Sequence, residues 1–488
     1  MHKLARLDHK YVWHPFTQMR DWLRREPIVI TSGRGALLRD VNGREYLDAN
    51  SSIWTNLHGH AHPKINAALR RQLGKISHSS ALGFANESAS LLAERLIKAA
   101  KLSSASKTAR GVILFPPSNS KSPISNPQLS KVFFSDDGST ALEVALKLAY
   151  VFARRSGRRS PKFLSLDGAY HGDTVGAVGL GHIDVFHKAY SGLLFKTDRV
   201  MAPYCYRCPF NRARPDRADA RDYRKCNHEC IGLVEKKFAA AKRKGNPYSA
   251  LVVEPLIQGA AGMIPQPVGW LRRVAEIARA HGAQIIADEV MTGFGRTGGS
   301  SLFASHQEGV QPDFLAVAKG LTGGYLPMAA TLTTPAVFDA FLGDYAEFKT
   351  FFHGHSFTGN QLGAAAALAS LDLLQSPASV RARQKLQRVL REELRSLWTL
   401  PNVGDIRQAG LVAGVELVRD WHTRQPFDLR EQAGIHVCEA LARRGVLTRP
   451  VGNVIVLMPP YCTTPAQSAR IVRALSKSIG EVFGAAKI

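Results

Sequence analysis

Three short apolar runs in the chain each end at a residue able to do chemistry. Ala250–Val253 ends at Glu254 and Pro255, Ile285–Ala287 at Asp288 and Glu289, and Phe314–Ala318 at Lys319 and Gly320. In an open α/β sheet, ligands sit outside the carboxyl ends of the strands. Two carboxylates and a lysine would then lie along one edge of one sheet. Taken singly, a strand-end Asp forms a turn and a strand-end Lys is solvated; three in succession favour a site. A fourth run, Lys131–Phe134, leads into Ser135-Asp136-Asp137-Gly138-Ser139-Thr140-Ala141 and a helix. Gly138 lets the backbone approach a ligand, and Ser139 and Thr140 set hydroxyls beside the free N–H groups of a helix N-terminus. That is a cradle for phosphate. The segment has neither the Gly-Lys-Ser/Thr ending of a Walker A loop nor a dinucleotide-binding fingerprint.

A phosphate cradle, a strand-end Asp and a strand-end Lys together suggest pyridoxal phosphate (PLP). The lysine amine suits a Schiff base with the cofactor aldehyde, and the Asp carboxylate suits the pyridine nitrogen, keeping it protonated. Tyr170, in Gly168-Ala169-Tyr170-His171-Gly172 after the run Phe163–Leu166, is placed to cover the ring.

These motifs resemble those of the class III aminotransferases, of PLP fold type I, over nearly the whole chain. The matching segments are Ser135–Ala141, Tyr170-His171-Gly172, Glu254-Pro255 with Gln258-Gly259, and Asp288-Glu289-Val290 with Gly293–Arg296. Ala318-Lys319-Gly320 with Gly323-Gly324 and His353-Gly354 with Gly359-Asn360 complete the set. The resemblance implies Lys319 as the Schiff-base lysine, Asp288 as the pyridinium partner, and Gly138 and Ser139 at the phosphate. It implies that Ser356, where Thr is common, reaches a phosphate across a dimer interface, with His355 beside it at the cofactor and Gly354 near substrate. A homodimer with shared active sites follows from the same resemblance.

Three further segments are similar to one branch, the adenosylmethionine–8-amino-7-oxononanoate aminotransferases of biotin synthesis. They are Trp13–Met19, Ser51–Trp54 followed by His58–Pro63, and Arg449-Pro450 before Leu457–Tyr461. The likeness implies that Trp54 contacts substrate, that Arg449 binds the acceptor carboxylate, and that Phe16 and Tyr170 share the substrate pocket. A long aliphatic acceptor with a terminal carboxylate needs an aromatic wall and a guanidinium fork. Phe16 stands where this branch usually has Tyr, and His355 where many relatives have Pro. Both departures bear on the amino donor. Adenosylmethionine ranks ahead, with L-lysine as the alternative. A different class III ω-aminotransferase is the rival, and the Trp13–Met19 and Arg449–Tyr461 segments argue against it.

Around these residues, short apolar runs alternate with helical segments such as Ser139–Ala153 and the crossover Gly269–His281. This is the texture of an α/β fold with a mostly parallel sheet flanked by helices. The expected organisation is an N-terminal segment (1–70), a large PLP-binding domain (71–365) and a C-terminal α+β small domain (366–488). The large domain carries an inserted loop at about 102–130 and a Cys-containing insert at about 203–230. With 488 residues and 45% apolar content, the chain can bury a core without disulfides or metal. Its net charge of +25 is scattered, without a basic stripe interleaved with aromatics, so nucleic acid is not an expected partner. No run is long and apolar enough for a membrane span and no secretory h-region opens the chain, so a cytoplasmic enzyme is expected. Cys205-x2-Cys208 and Cys226-x3-Cys230 come close to zinc-site spacing. They are a candidate structural site, with reduced free thiols as the other reading; no catalytic metal is expected.

Overall fold

Seven strands build the central sheet of the computed structural model, which describes residues 1–102 and 127–484. They are β1 (Lys131–Ser135), β2 (Phe163–Leu166), β3 (Asp198–Val200), β4 (Ala250–Val253), β5 (Gln284–Asp288), β6 (Phe314–Val317) and β7 (Ala329–Thr333). Their order is β1-β7-β6-β5-β4-β2-β3. β7 runs antiparallel to both neighbours, and all the other pairings are parallel. The sheet is therefore mostly parallel, with β1 pointing the same way as β2 to β6. Most of the loop expected at 102–130 falls on residues 103–126, outside the described residues.

β2, β4, β5 and β6 are short and apolar because both faces are covered. Successive side chains point to opposite faces. Leu251, Val253 and Ile285 pack on one side with Trp270, Leu271, Val274 and Ala278 of helix α2 (Trp270–Ala280). Ala250, Val252, Ile286 and Phe314 pack on the other with Ala141, Leu142, Ala145 and Leu148 of helix α1 (Gly138–Arg155). α1 starts directly after β1, so its N-terminus lies at the carboxyl edge of the sheet. β3 and β7 were not anticipated from sequence.

Among the described residues three smaller sheets accompany it: a two-stranded ribbon, Ile257–Gln258 with Ile264–Pro265, and two larger ones. Strands Ile30–Arg34, Leu37–Asp40 and Glu45–Asp48 form an antiparallel set, and Val446–Leu447 joins it in parallel, with Leu47 opposite Val446. Strands Val403–Ala409, Val412–Asp420 and Val454–Leu457 form a second antiparallel set. Their buried residues share one apolar core with Leu315 and Val317 of β6 and with Ile471 and Leu475 of the last helix, Pro465–Phe483. Among the described residues no helix is long and apolar enough to cross a membrane.

Candidate active site

A cavity of about 460 Å³ opens at the carboxyl edge of the central sheet. Lys319, Asp288, Glu254, Tyr170, Gly138 and Ser139 all line it. Asp288 is the last residue of β5, Glu254 follows β4, and Lys319 stands two residues past β6 in a short 3-10 turn. The parallel register of neighbouring strands brings together residues far apart in sequence.

Lys319 is partly buried, and desolvation pushes its ammonium below the ordinary lysine value, against the opposing pull of Asp288 and Glu254. A lysine so placed has a larger neutral, nucleophilic fraction. Its Nζ lies 5.2 Å from the ring centre of Trp54. Asp288 is held on both oxygens: one accepts the backbone N–H of Val290 at 3.1 Å, and the other meets His171 Nδ1 at 2.8 Å. His171 is itself buried, and its Nε2 has no hydrogen-bond partner. The Tyr170 hydroxyl donates to Asp173 at 2.7 Å, and burial with that bond pushes its ionisation well up. Burial raises the carboxyls of Glu254 and Glu289 to about 7. One Glu254 oxygen accepts from Gly259 N–H at 2.8 Å; the other is buried without a partner. Glu289 instead braces the loop after it, accepting from Ser305 N–H at 2.8 Å and from the Ser305 hydroxyl at 2.6 Å.

At the anion end, Asp137 caps α1 through Thr140 N–H at 2.9 Å. The Thr140 hydroxyl is engaged in that capping box, accepting from Asp137 N–H and donating to Asp137 carbonyl. Thr140 is therefore a capping residue, contrary to the reading that put its hydroxyl at a ligand. The N–H groups of Gly138 and Ser139, in the first turn, lack intrahelical acceptors and remain for one. The fit here is close. A Cβ on Gly138 would come within 2.6 Å of Val290, and one on Gly172, at φ +124°, within 2.2 Å of the Ser139 hydroxyl. These glycines are needed for packing around the cradle, a stronger demand than close ligand approach alone.

Trp54 reaches the cavity from a left-handed turn. Ser51, Ser52, Ile53 and Trp54 all have positive φ, between 46° and 108°. Such strain persists only where surroundings over-determine it. Here Asp48 accepts the backbone N–H and the hydroxyl of Ser52, each at 3.0 Å, and pairs with His60 at 3.0 Å. The Trp54 indole donates to Asn50 at 2.9 Å.

Phe16 and Arg449 come together, the guanidinium 3.5 Å from the Phe16 carbonyl, but neither is among the residues lining the cavity. Gly354, His355 and Ser356 do not line it either. His355 lies 3.5 Å from Asp136, at the cavity rim, and the Ser356 carbonyl accepts from His78.

The zinc candidate is corrected. Cys205, Cys208, Cys226 and Cys230 are all free thiols, and the described residues contain no group of three or more His, Cys, Asp or Glu able to hold a metal ion. Cys205 is buried against Tyr206 and Ala220, while Cys230 sits in the core beside α2. Burial holds both as neutral thiols, pushed up to about 12 and about 11.

The model of the aminotransferase class-III family matches residues 19–479. The chain belongs to that family. Class III aminotransferases use PLP, and the cavity of this one fits the cofactor: a helix N-terminus for the phosphate, a buried carboxylate for the pyridine nitrogen and a cavity-lining lysine for the aldehyde. The aminotransferase is 45% identical over 478 residues to the adenosylmethionine-8-amino-7-oxononanoate aminotransferase of Geobacter sulfurreducens, covering 98% of this chain and 97% of the relative. It is 38% identical over 482 residues to the protein of that name from Methanocaldococcus jannaschii, covering 98% of each. The crystal structure of the M. jannaschii protein superposes with a TM-score of 0.84 at 36% identity, again over 98% of each chain. The ω-transaminase of Pseudomonas jessenii in complex with PMP matches with the same TM-score at 25% identity, covering 99% of this chain and 98% of that one. The fold is that of the PLP-dependent type I transaminases.

The sequence motif Tyr170-His171-Gly172 assigns no role to His171. Its signal is a His one residue after Tyr170, and only the folded sheet shows that it faces Asp288.

Proposed function

We propose that this aminotransferase converts 8-amino-7-oxononanoate to 7,8-diaminononanoate in biotin synthesis, with adenosylmethionine as amino donor. The observation that carries the reading is the full-length likeness to relatives bearing that name, at up to 45% identity. The contact of Arg449 with the Phe16 carbonyl, and of the Phe16 ring with Phe186 beside Tyr170, supports it.

PLP, when bound, supplies the electron sink that makes the donor's α-proton acidic. Lys319 Nζ takes that proton and returns it, as general base and then acid. Asp288, held by His171 and Val290, faces the ring nitrogen and keeps it protonated. Gly138 and Ser139 hold the phosphate, and Tyr170 covers the ring. Trp54 forms the apolar wall and Arg449 reads the acceptor carboxylate.

The active enzyme is proposed to be a cytoplasmic homodimer without a nucleic-acid partner. Segments 77–86 and 353–361 pack together through His78–Ser356, Asn86–Gly359 and Gln361–Ser79. They leave Leu82, Phe84, Phe352 and Phe357 exposed, an apolar surface suited to a second copy, whose cavity Ser356 would then reach. Half-reactions with adenosylmethionine and with lysine, followed separately, test the donor. Turnover with lysine and none with adenosylmethionine would overturn that part of the reading while leaving the acceptor and Lys319 in place.

A further inference from the structure

A second cavity, of about 580 Å³, lies beside the first. Met201, Tyr204 and Arg207 of the Cys-containing region line one side, and Glu416, Gly452 and Val454 of the C-terminal segment line the other. Ala260 lines both cavities. Phe186 lines the second, with its ring 5.2 Å from Phe16 and 6.3 Å from Tyr170, and Tyr170 belongs to the first.

The walls are largely apolar, and their charged side chains are already paired. Arg207 Nε donates to Glu416 at 2.7 Å, the Tyr204 hydroxyl donates to the same carboxylate, and Asp167 pairs with Arg199 at 3.3 Å. Burial pushes His182 down to about 4, so it is neutral at physiological pH. A ligand ending in a carboxylate or an ammonium would meet no uncommitted counter-charge. An uncharged, flat, polar-edged group would meet apolar walls with hydroxyl, imidazole and amide groups among them.

Size points the same way. A site for one drug-sized ligand occupies about 300–1,000 Å³. The first cavity must hold both the cofactor and the reacting end of a substrate. The acceptor is slender and ends in the carboxylate ascribed to Arg449, which is not part of the second cavity's lining. Adenosylmethionine is drug-sized in itself and carries an uncharged nucleoside behind its sulfonium.

We infer that the second cavity binds the adenosine end of the amino donor, as a subsite for a purine nucleoside on a sulfonium stem. This rests on the donor proposed above. The amine enters the first cavity, and the sulfonium passes the rings of Phe16, Phe186 and Tyr170, whose faces attract a cation. The base lies among Met201, Ile264 and Val454. At position 16 the useful feature is then a ring face, which Phe supplies without a hydroxyl.

5′-Methylthioadenosine, which has the nucleoside but no amine, is the probe, titrated by calorimetry into the PLP-loaded enzyme. Leu429→Trp and Val185→Trp each place an indole at the cavity from a side chain that is 56% or 77% exposed, so the fold should tolerate both. Wild type should bind the probe, and the probe should compete with adenosylmethionine. Each variant should bind it about tenfold or more weakly and show a matching rise in KM for adenosylmethionine, with the acceptor KM unchanged. Equal probe binding by wild type and both variants, or a rise confined to the acceptor KM, would overturn the inference. Failure of wild type to bind the probe while turning over adenosylmethionine would overturn it also. Probe binding lost in the variants, in an enzyme that does not turn over adenosylmethionine, would uphold the nucleoside subsite and defeat the donor reading alone.

Discussion

His171 Nδ1 stands 2.8 Å from a carboxylate oxygen of Asp288, although 117 residues separate them in sequence. The loop after β2 thus orients the carboxylate at the end of β5. His171→Phe should keep the fold and the lysine but leave that oxygen unserved. We expect a loss of about ten- to hundredfold in kcat, smaller than the loss in Asp288→Asn, where the charge itself is gone. A rate for Asp288→Asn equal to wild type would remove that residue from the chemistry.

Lys319→Ala should bind PLP through the phosphate and ring contacts but form no covalent link with it. Borohydride treatment followed by mass spectrometry should find the cofactor fixed to the wild-type chain at Lys319 and not to the variant. Transamination by the variant at the wild-type rate would refute the role.

Arg449→Ala should weaken the acceptor and spare the cofactor. Loss of hydrogen bonds to a charged group costs roughly 1.5–3 kcal/mol, about ten- to hundredfold in acceptor KM. Normal acceptor saturation in the variant would leave Arg449 a structural residue.

Gly172→Ala should displace Ser139. Its Cβ would approach the Ser139 hydroxyl to 2.2 Å at a φ of +124°, where an L side chain is strained whatever the space. A strain of about 1–3 kcal/mol passed to the cradle means PLP bound some five- to hundredfold more weakly. Equilibrium titration of the cofactor-free protein measures this directly.

Glu254 gives a pH signature. Burial raises its carboxyl from 4.5 to about 7, so the folded chain keeps a proton that the unfolded chain releases across that window. Stability conferred by the folded state therefore falls as pH rises from 4.5 towards 7. Glu254→Gln has no such proton to lose. The melting temperature of the cofactor-free variant should gain on wild type between about pH 5 and about pH 8. A constant difference across that range would show that Glu254 is already ionised at the lower end.

The strand ends were legible because β2, β4, β5 and β6 are short apolar runs buried on both faces, each closed by a polar residue. β7 was not: Ala329–Thr333 mixes Ala and Thr, and it is a strand because β1 and β6 flank it. Thr140 misled because a helix-capping threonine and a phosphate-binding one share the same sequence context. The cysteine spacing left zinc and free thiols both open because spacing says nothing of which thiols the core claims, and Cys230 is claimed by the apolar layer around α2. The second cavity had no signature at all, since its walls come from three distant stretches of chain.

Leu47 lies opposite Val446 in a parallel pairing, and the Ser51 hydroxyl donates to the Met458 carbonyl at 2.7 Å. On a translating ribosome the segment bearing Trp54 emerges early and its partners almost last. Until then the left-handed turn has only its local bonds to Asp48 and Asn50, and the Met458 contact that ties Ser51 down comes later. Pairing across so long a separation is slow, and a nascent or truncated chain lacking these late strands would have the cofactor edge without Trp54 fixed beside it.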